Sequence, residues 1–180
     1  MDDAALVKLA QGSPQAFDLL YRRYRQPVLS FCYRQLRDRD EAEDVASAAF
    51  VAALRGLTRF QDRGDSFRAW LFRIVRNEIG MSRRQASRHP NQSLDDAGEL
   101  IDPGRSPEDL ALVSDGQLRL AALLASLTPS ERDVIDLTLA DLTTAEIARV
   151  LDVSLPAVRT RRSRALARLQ TAYLRVDFVE

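Results

Sequence analysis

Downstream of Asp152 the chain carries Arg159, Arg161, Arg162, Arg164 and Arg168 without one intervening acid. Guanidinium groups present planar forks of donors that clamp phosphate oxygens or read the O6 and N7 of guanine with two hydrogen bonds. On a helix, such a run has no carboxylate at i+4 to offset it. The whole chain balances 26 basic against 26 acidic residues, so composition alone makes no case for a polyanionic partner. The local placement does, because nucleic-acid phosphates supply the counter-charges this segment lacks. Other chemistries find no support. There is one histidine, His89, in a polar stretch, and one cysteine, Cys32, in an apolar one. No glycine-rich phosphate loop, metal-ligand cluster or nucleophile constellation appears, so no catalytic residue, metal or cofactor is expected.

The elements that must position those arginines are legible just upstream. "TTAEIARVLDVSLPAVRTRRSRALARL" reads as a helix-turn-helix: a short helix with Ile147, Ala148 and Leu151 inward, a turn at Asp152-Val153-Ser154, and a longer helix. Ser154 caps the second helix. Val158, Ala165, Leu166, Leu169 and Tyr173 mark its expected buried side, leaving Arg159, Thr160, Ser163 and Arg164 outward where a recognition helix meets a major groove. Capping boxes, Thr128 with Glu131 and Thr143 with Glu146, start helices near Pro129 and Thr144.

In the first half, Phe17, Leu20, Tyr21, Tyr24, Val28, Phe31, Cys32 and Leu36 recur at steps of three and four, the spacing of one buried helical stripe. Ser13 and Pro14 open that helix, and Pro27 is expected to kink or divide it. Two more stripes follow, one from Ala42 to Leu57 and one through Phe67, Trp70, Leu71, Ile74 and Val75. From about Gln85 to Ser106 the pattern gives way to prolines, glycines, serines and acids, a linker composition, and Ser106-Pro107-Glu108-Asp109 restarts helix. No period-two alternation bounded by hairpin turns occurs. The expectation is an all-α chain of two small helical domains, 1–87 and 107–180, joined by a flexible linker over 88–106. The acidic start "MDDAALVKLA" is unlike a signal peptide, and no apolar run approaches membrane length, so a cytoplasmic protein with no membrane insertion is expected.

The segment "LASLTPSERDVIDLTLADLTTAEIARVLDVSLPAVRTRRSRA" resembles region 4 of bacterial sigma factors of the extracytoplasmic-function type. "AFDLLYRRYRQPVLSFCYRQL", "DEAEDVASAAFVAAL" and "FRAWLFRIVRNEI" are similar to region 2 of the same family. The resemblance spans about residues 13 to 85 and 117 to 173. It implies an RNA polymerase subunit without catalytic chemistry. Region 2 would dock on the clamp helices of the β′ subunit and capture the melted −10 element. Region 4 would sit on the β flap and read −35 duplex. An anti-sigma factor as regulating partner is also implied.

On that resemblance, Asp44, Ser47, Phe50 and Leu54 match the positions used for docking on core polymerase. The −10 candidates are Phe60, Gln61 and Asp62, in the loop that forms the pocket for a flipped base, with Arg73, Arg76, Asn77, Arg83 and Arg84. Aromatics beside cations and amides suit a single strand, since base stacking is worth about 1–3 kcal/mol per base; Trp70 is read as core. Thr144, Ser154 and Arg161 join Arg159, Thr160, Ser163 and Arg164 as the −35 set. Four positions depart from the family pattern: Ala48 for a common glutamate, Met81 for an aspartate, Pro156 for a glycine and Arg162 for a leucine. Rival readings are a helix-turn-helix regulator that binds DNA alone, which leaves the first half unexplained, and a helical protein that only sequesters a partner, which needs no outward arginines.

Overall fold

The computed structural model describes residues 2–61, 66–88 and 123–177; Asp62, the 88–106 linker beyond Arg88, and the Ser106–Asp109 helix start lie outside the described residues. Every regular element within them is helical. The first half consists of α1 (Asp3–Gly12), α2 (Phe17–Leu36), α3 (Arg39–Gly56) and α4 (Phe67–Arg88). The second consists of α5 (Pro129–Leu139), α6 (Thr144–Leu151) and α7 (Leu155–Asp177).

Local chemistry places most of the boundaries. Asp2 accepts from the Ala5 amide at 2.8 Å and Asp38 from the Glu41 amide at 2.7 Å, each satisfying a donor that a helix start leaves orphaned. Both capping boxes close: Glu131 and Glu146 accept from the backbone amides of Thr128 and Thr143 at 3.0 and 2.8 Å, and the threonine hydroxyls accept in return. Arg37 and Asp152, at φ 62° and 52°, end α2 and α6 in the left-handed conformation.

Three expectations need revision. α2 runs unbroken through Pro27; the missing amide removes one ladder bond, and packing of Tyr24, Val28 and Phe31 on either side holds the helix together. α4 continues to Arg88, past the point where its apolar stripe fades, because helical propensity needs no buried face at a solvent-exposed end. The N-terminal segment, read only as an acidic start unlike a signal peptide, is a helix whose Leu6, Val7 and Ala10 enter the core.

α2, α3 and α4 pack on one another around Leu20, Val28, Phe31, Cys32, Ala49, Leu71, Phe72 and Val75, all at 2% exposure or less. Phe31 and Phe72 meet edge-to-face with centroids 5.4 Å apart, and burying each ring contributes about 1.5–3 kcal/mol. This core does not stop at the first half. Val134, Leu137, Ile147, Val150 and Val158 belong to the same continuous cluster, because α6 packs along α4 and the end of α2 meets α5. Leu124, Leu127, Ile135 and Ala165 form a smaller cluster between α7 and the segment before α5.

Candidate nucleic-acid interface

The helix-turn-helix is built as its spacing requires. Ala148, 8% exposed, admits the turn: the Val153 amide donates to its carbonyl at 3.0 Å, and Ser154 accepts from the Ala157 amide at 3.4 Å to start α7. Val158 is fully buried beneath the crossing. The side opposite presents Arg159, Thr160, Ser163 and Arg164, all exposed, flanked by exposed Ser154 and half-buried Arg161. Among the described residues Arg159, Arg161 and Arg164 form no salt bridge, whereas Arg168 pairs with Glu131 at 3.3 Å. Thr144, half-buried, accepts a hydrogen bond from the Arg162 guanidinium. Arg162 is therefore directed inward, and its Nε is buried without a partner among the described residues.

Leu166 and Tyr173, expected on the buried side of α7, are instead 55% and 56% exposed. The stripe that packs runs through Val158, Ala165 and half-buried Leu169, and Leu166 lies one residue, or about 100° of helix, off that line. With Leu174 they leave an apolar flank open on α7.

On the first half, Arg76, Asn77, Met81, Arg83 and Arg84 are exposed along the outer side of α4. They line a groove of about 340 Å³ with Phe31 and Gln35 of α2 and Asp133 of α5. Arg83 donates to the Gln35 carbonyl at 2.7 Å and side-chain oxygen at 2.9 Å, and Arg76 reaches Asp133 at 3.4 Å. Arg73, one turn earlier, is half-buried. At the far end of α4 the loop candidates separate. Gln61 is exposed, but Phe60 is buried, its ring 4.9 Å from Trp70 and 6.0 Å from Phe67. Phe60 is part of an aromatic cluster with Phe67 and Trp70, and the Gln11 amide pins its carbonyl at 2.8 Å and that of Leu57 at 3.0 Å. Sequence reasoning missed Gln11, since no local signal links a polar residue of α1 to a turn 46 positions away.

The α3 face divides similarly. Asp44, Ser47, Ala48 and Leu54 are exposed on one side, joined by Val51 at 47%, which the family motif did not single out. Phe50 is buried, edge-on to Tyr21 at 4.8 Å, because its ring falls on the stripe facing α2. Beside it, Tyr21, Arg25, Leu29, Glu43 and Ser47 border a shallow depression of about 90 Å³. Glu43 is engaged by Arg39 at 3.3 Å, so Asp44 is the less committed acid of the pair.

Two chemistries thus share one small helical molecule: a helix-turn-helix with an outward cationic face, and a four-helix bundle with a cationic groove and a mixed acidic–apolar face. These define a two-part DNA-binding protein. Residues 20–89 match the family described as Sigma-70 region 2 and residues 117–169 that described as Sigma-70, region 4. The chain is 32% identical over 176 residues to the ECF RNA polymerase sigma factor ShbA of Streptomyces griseus, covering 93% of this chain and 92% of that one. It is 32% identical over 174 residues to the ECF RNA polymerase sigma-E factor of Escherichia coli K12, covering 91% and 90%. Among solved structures, CnrH in complex with the cytosolic domain of CnrY is similar at TM-score 0.70 and 30% identity, over 97% of this chain and 98% of that one. The sigma factor RpoE of Bartonella quintana, solved with the anti-sigma factor NepR, is similar at TM-score 0.69 and 25% identity, over 89% and 98%.

The chain belongs to the extracytoplasmic-function branch of the sigma-70 family. It is an RNA polymerase sigma factor, and a stand-alone regulator would leave residues 20–89 without a purpose.

Proposed function

We propose that the two surfaces divide promoter recognition as follows. The outward face of α7, with Arg159 and Thr160 at its centre, reads −35 base edges, while Ser154, Arg161, Ser163, Arg164 and Thr144 hold the adjoining backbone. The observation that carries this is the set of arginines on that face without acidic partners among the described residues, since a phosphate duplex supplies the missing charge. The α4 groove, with Arg76, Asn77, Arg83 and Arg84, tracks the melted −10 strand, and Gln61 and Asp62 carry base choice over a floor built by Phe60 and Trp70. The α3 face with Asp44, Ser47, Val51 and Leu54 docks on the β′ clamp helices of core polymerase, and region 4 sits on the β flap. Phe50 supports that face from beneath through Tyr21.

Residues 1–87 and 107–180 act as separate recognition modules joined by 88–106. The factor works in the cytoplasm, takes no cofactor and performs no catalytic chemistry of its own. An anti-sigma factor controls it, a reading supported by solved relatives whose partners are CnrY and NepR. The decisive experiment is run-off transcription by purified core polymerase over a promoter library, with and without the protein. Defined start sites preceded by a shared −10 and −35 pair are the expected result; unchanged start sites would overturn the assignment.

A further inference from the structure

A side-chain contact crosses from α1 to the backbone that carries the −10 loop candidates. Gln11, in the last turn of α1, donates from its Nε2 to two carbonyls, Leu57 at 3.0 Å and Phe60 at 2.8 Å. An amide nitrogen carries two hydrogens, so it can hold both oxygens at once. The Leu57 oxygen also accepts from the Phe60 amide at 3.1 Å, which closes the turn Leu57–Arg59. Leu57 and Phe60 are buried, at 1% and 7% exposure, so side chains and backbone are held together.

The consequence reaches Gln61 through covalent geometry. The Phe60 carbonyl and the Gln61 nitrogen and Cα lie in one planar peptide unit. Fixing that oxygen fixes the plane from which the exposed Gln61 side chain departs. α1 is itself anchored. Leu6, Val7 and Ala10 are buried, and the Asp3 carboxylate accepts from Arg23 at 2.5 Å and from the Tyr24 hydroxyl. On the far side of the loop, Ser66 accepts from the Ala69 amide at 3.1 Å at the start of α4. The two ends are thus held by different means, one by a local cap and the other by a side chain 49 positions away.

We propose that Gln11 is a positioning residue for −10 base choice: its amide sets the Phe60–Gln61 peptide plane, so that α1 governs specificity at the base Gln61 meets. This inference rests on the reading of Gln61 given above.

The test is run-off transcription by the full-length factor and purified core polymerase over a promoter pool randomised across the −10 element, with the transcripts sequenced. The readout is the ratio of best to worst base at each position, accompanied by overall yield and a circular-dichroism melt. Gln11→Met keeps the length and removes both donors. It is expected to narrow the ratio at one position by about two- to tenfold, the discrimination of one ordinary hydrogen bond, and to leave the other positions unchanged. Gln11→Glu sets oxygen against oxygen and is expected to narrow it at least as far; Gln11→Lys restores a donor and is expected to narrow it less. Cys32→Ala opens a cavity in the buried core of α2 and reports what lost stability alone does. An unchanged ratio in Gln11→Met, or equal narrowing in Cys32→Ala, would overturn the proposal. Gln61→Ala separates the two ideas. A narrowed ratio at the same position upholds the loop reading whatever Gln11 does, and an unchanged one removes both.

Discussion

Arg159 and Arg162 are three residues apart, and the structure assigns them opposite jobs. Arg162 lies half-buried under α6, bonded to Thr144, with its Nε orphaned among the described residues. Replacing it by leucine forfeits one partly buried hydrogen bond, about 1 kcal/mol, and removes a desolvated donor that costs about 1–3 kcal/mol. The net expectation is stability unchanged or raised by up to about 2 kcal/mol, a melting-temperature gain of up to roughly 4–8 °C for a chain of this size. DNA binding should persist. Arg159→Ala removes an exposed side chain without a salt bridge among the described residues, so folding stability should move by less than about 0.5 kcal/mol. Lost base readout of about 1–3 kcal/mol should weaken −35 duplex binding roughly 5- to 160-fold and relax preference at one base pair. Thermal denaturation and anisotropy titration against a −35 duplex library read both quantities. Uniform loss of duplex affinity in Arg162→Leu with no gain in stability, or marked unfolding of Arg159→Ala, would refute the inward–outward assignment.

Other expectations follow from the packing. Cys32 is fully buried and burial pushes its thiol up to about 12, so alkylation by iodoacetamide should be negligible in the native protein and track global unfolding in urea. Gly56→Ala would set a Cβ 3.0 Å from the Trp70 ring; despite better helix propensity it should destabilise by about 1–2 kcal/mol and shift Trp70 fluorescence. Burial alone would raise the Glu146 carboxyl, but bonds from Ser66, the Thr143 amide and the Thr143 hydroxyl lower it on balance. A lowered carboxyl contributes stability above its unfolded value and loses it as pH falls through the folded one. Glu146→Gln keeps the capping geometry, so it should cost about 0.5–1 kcal/mol near pH 7 after screening. In urea melts the two proteins should converge in acid.

Asp136 runs the other way. Burial raises its carboxyl, and Arg34 and Arg132 only partly offset this, so ionising it costs more between the two halves than it would in water. An aspartate between Ile135 and Leu137 on an otherwise periodic helix carries no local mark of that position. Its partners are about 100 residues away, and only the closure of the two halves brings them together.

What the sequence by itself determined was the part governed by short range. Apolar residues at helical spacing, threonine–glutamate boxes and an acid-free arginine run each act over one or two turns, and so all-α architecture, the helix-turn-helix and its outward face are legible. The family resemblance extended that to both halves. Burial at stripe edges was decided by the tertiary structure: Phe50 and Phe60 turn inward against Tyr21 and Trp70, while Leu166 and Tyr173 turn outward because, among the described residues, the stripe through Ala165 has a partner and theirs does not. A period of 3.6 residues leaves such flanking positions undecided until a neighbouring helix arrives, and the sharing of one core by two halves depends on contacts that no local pattern encodes.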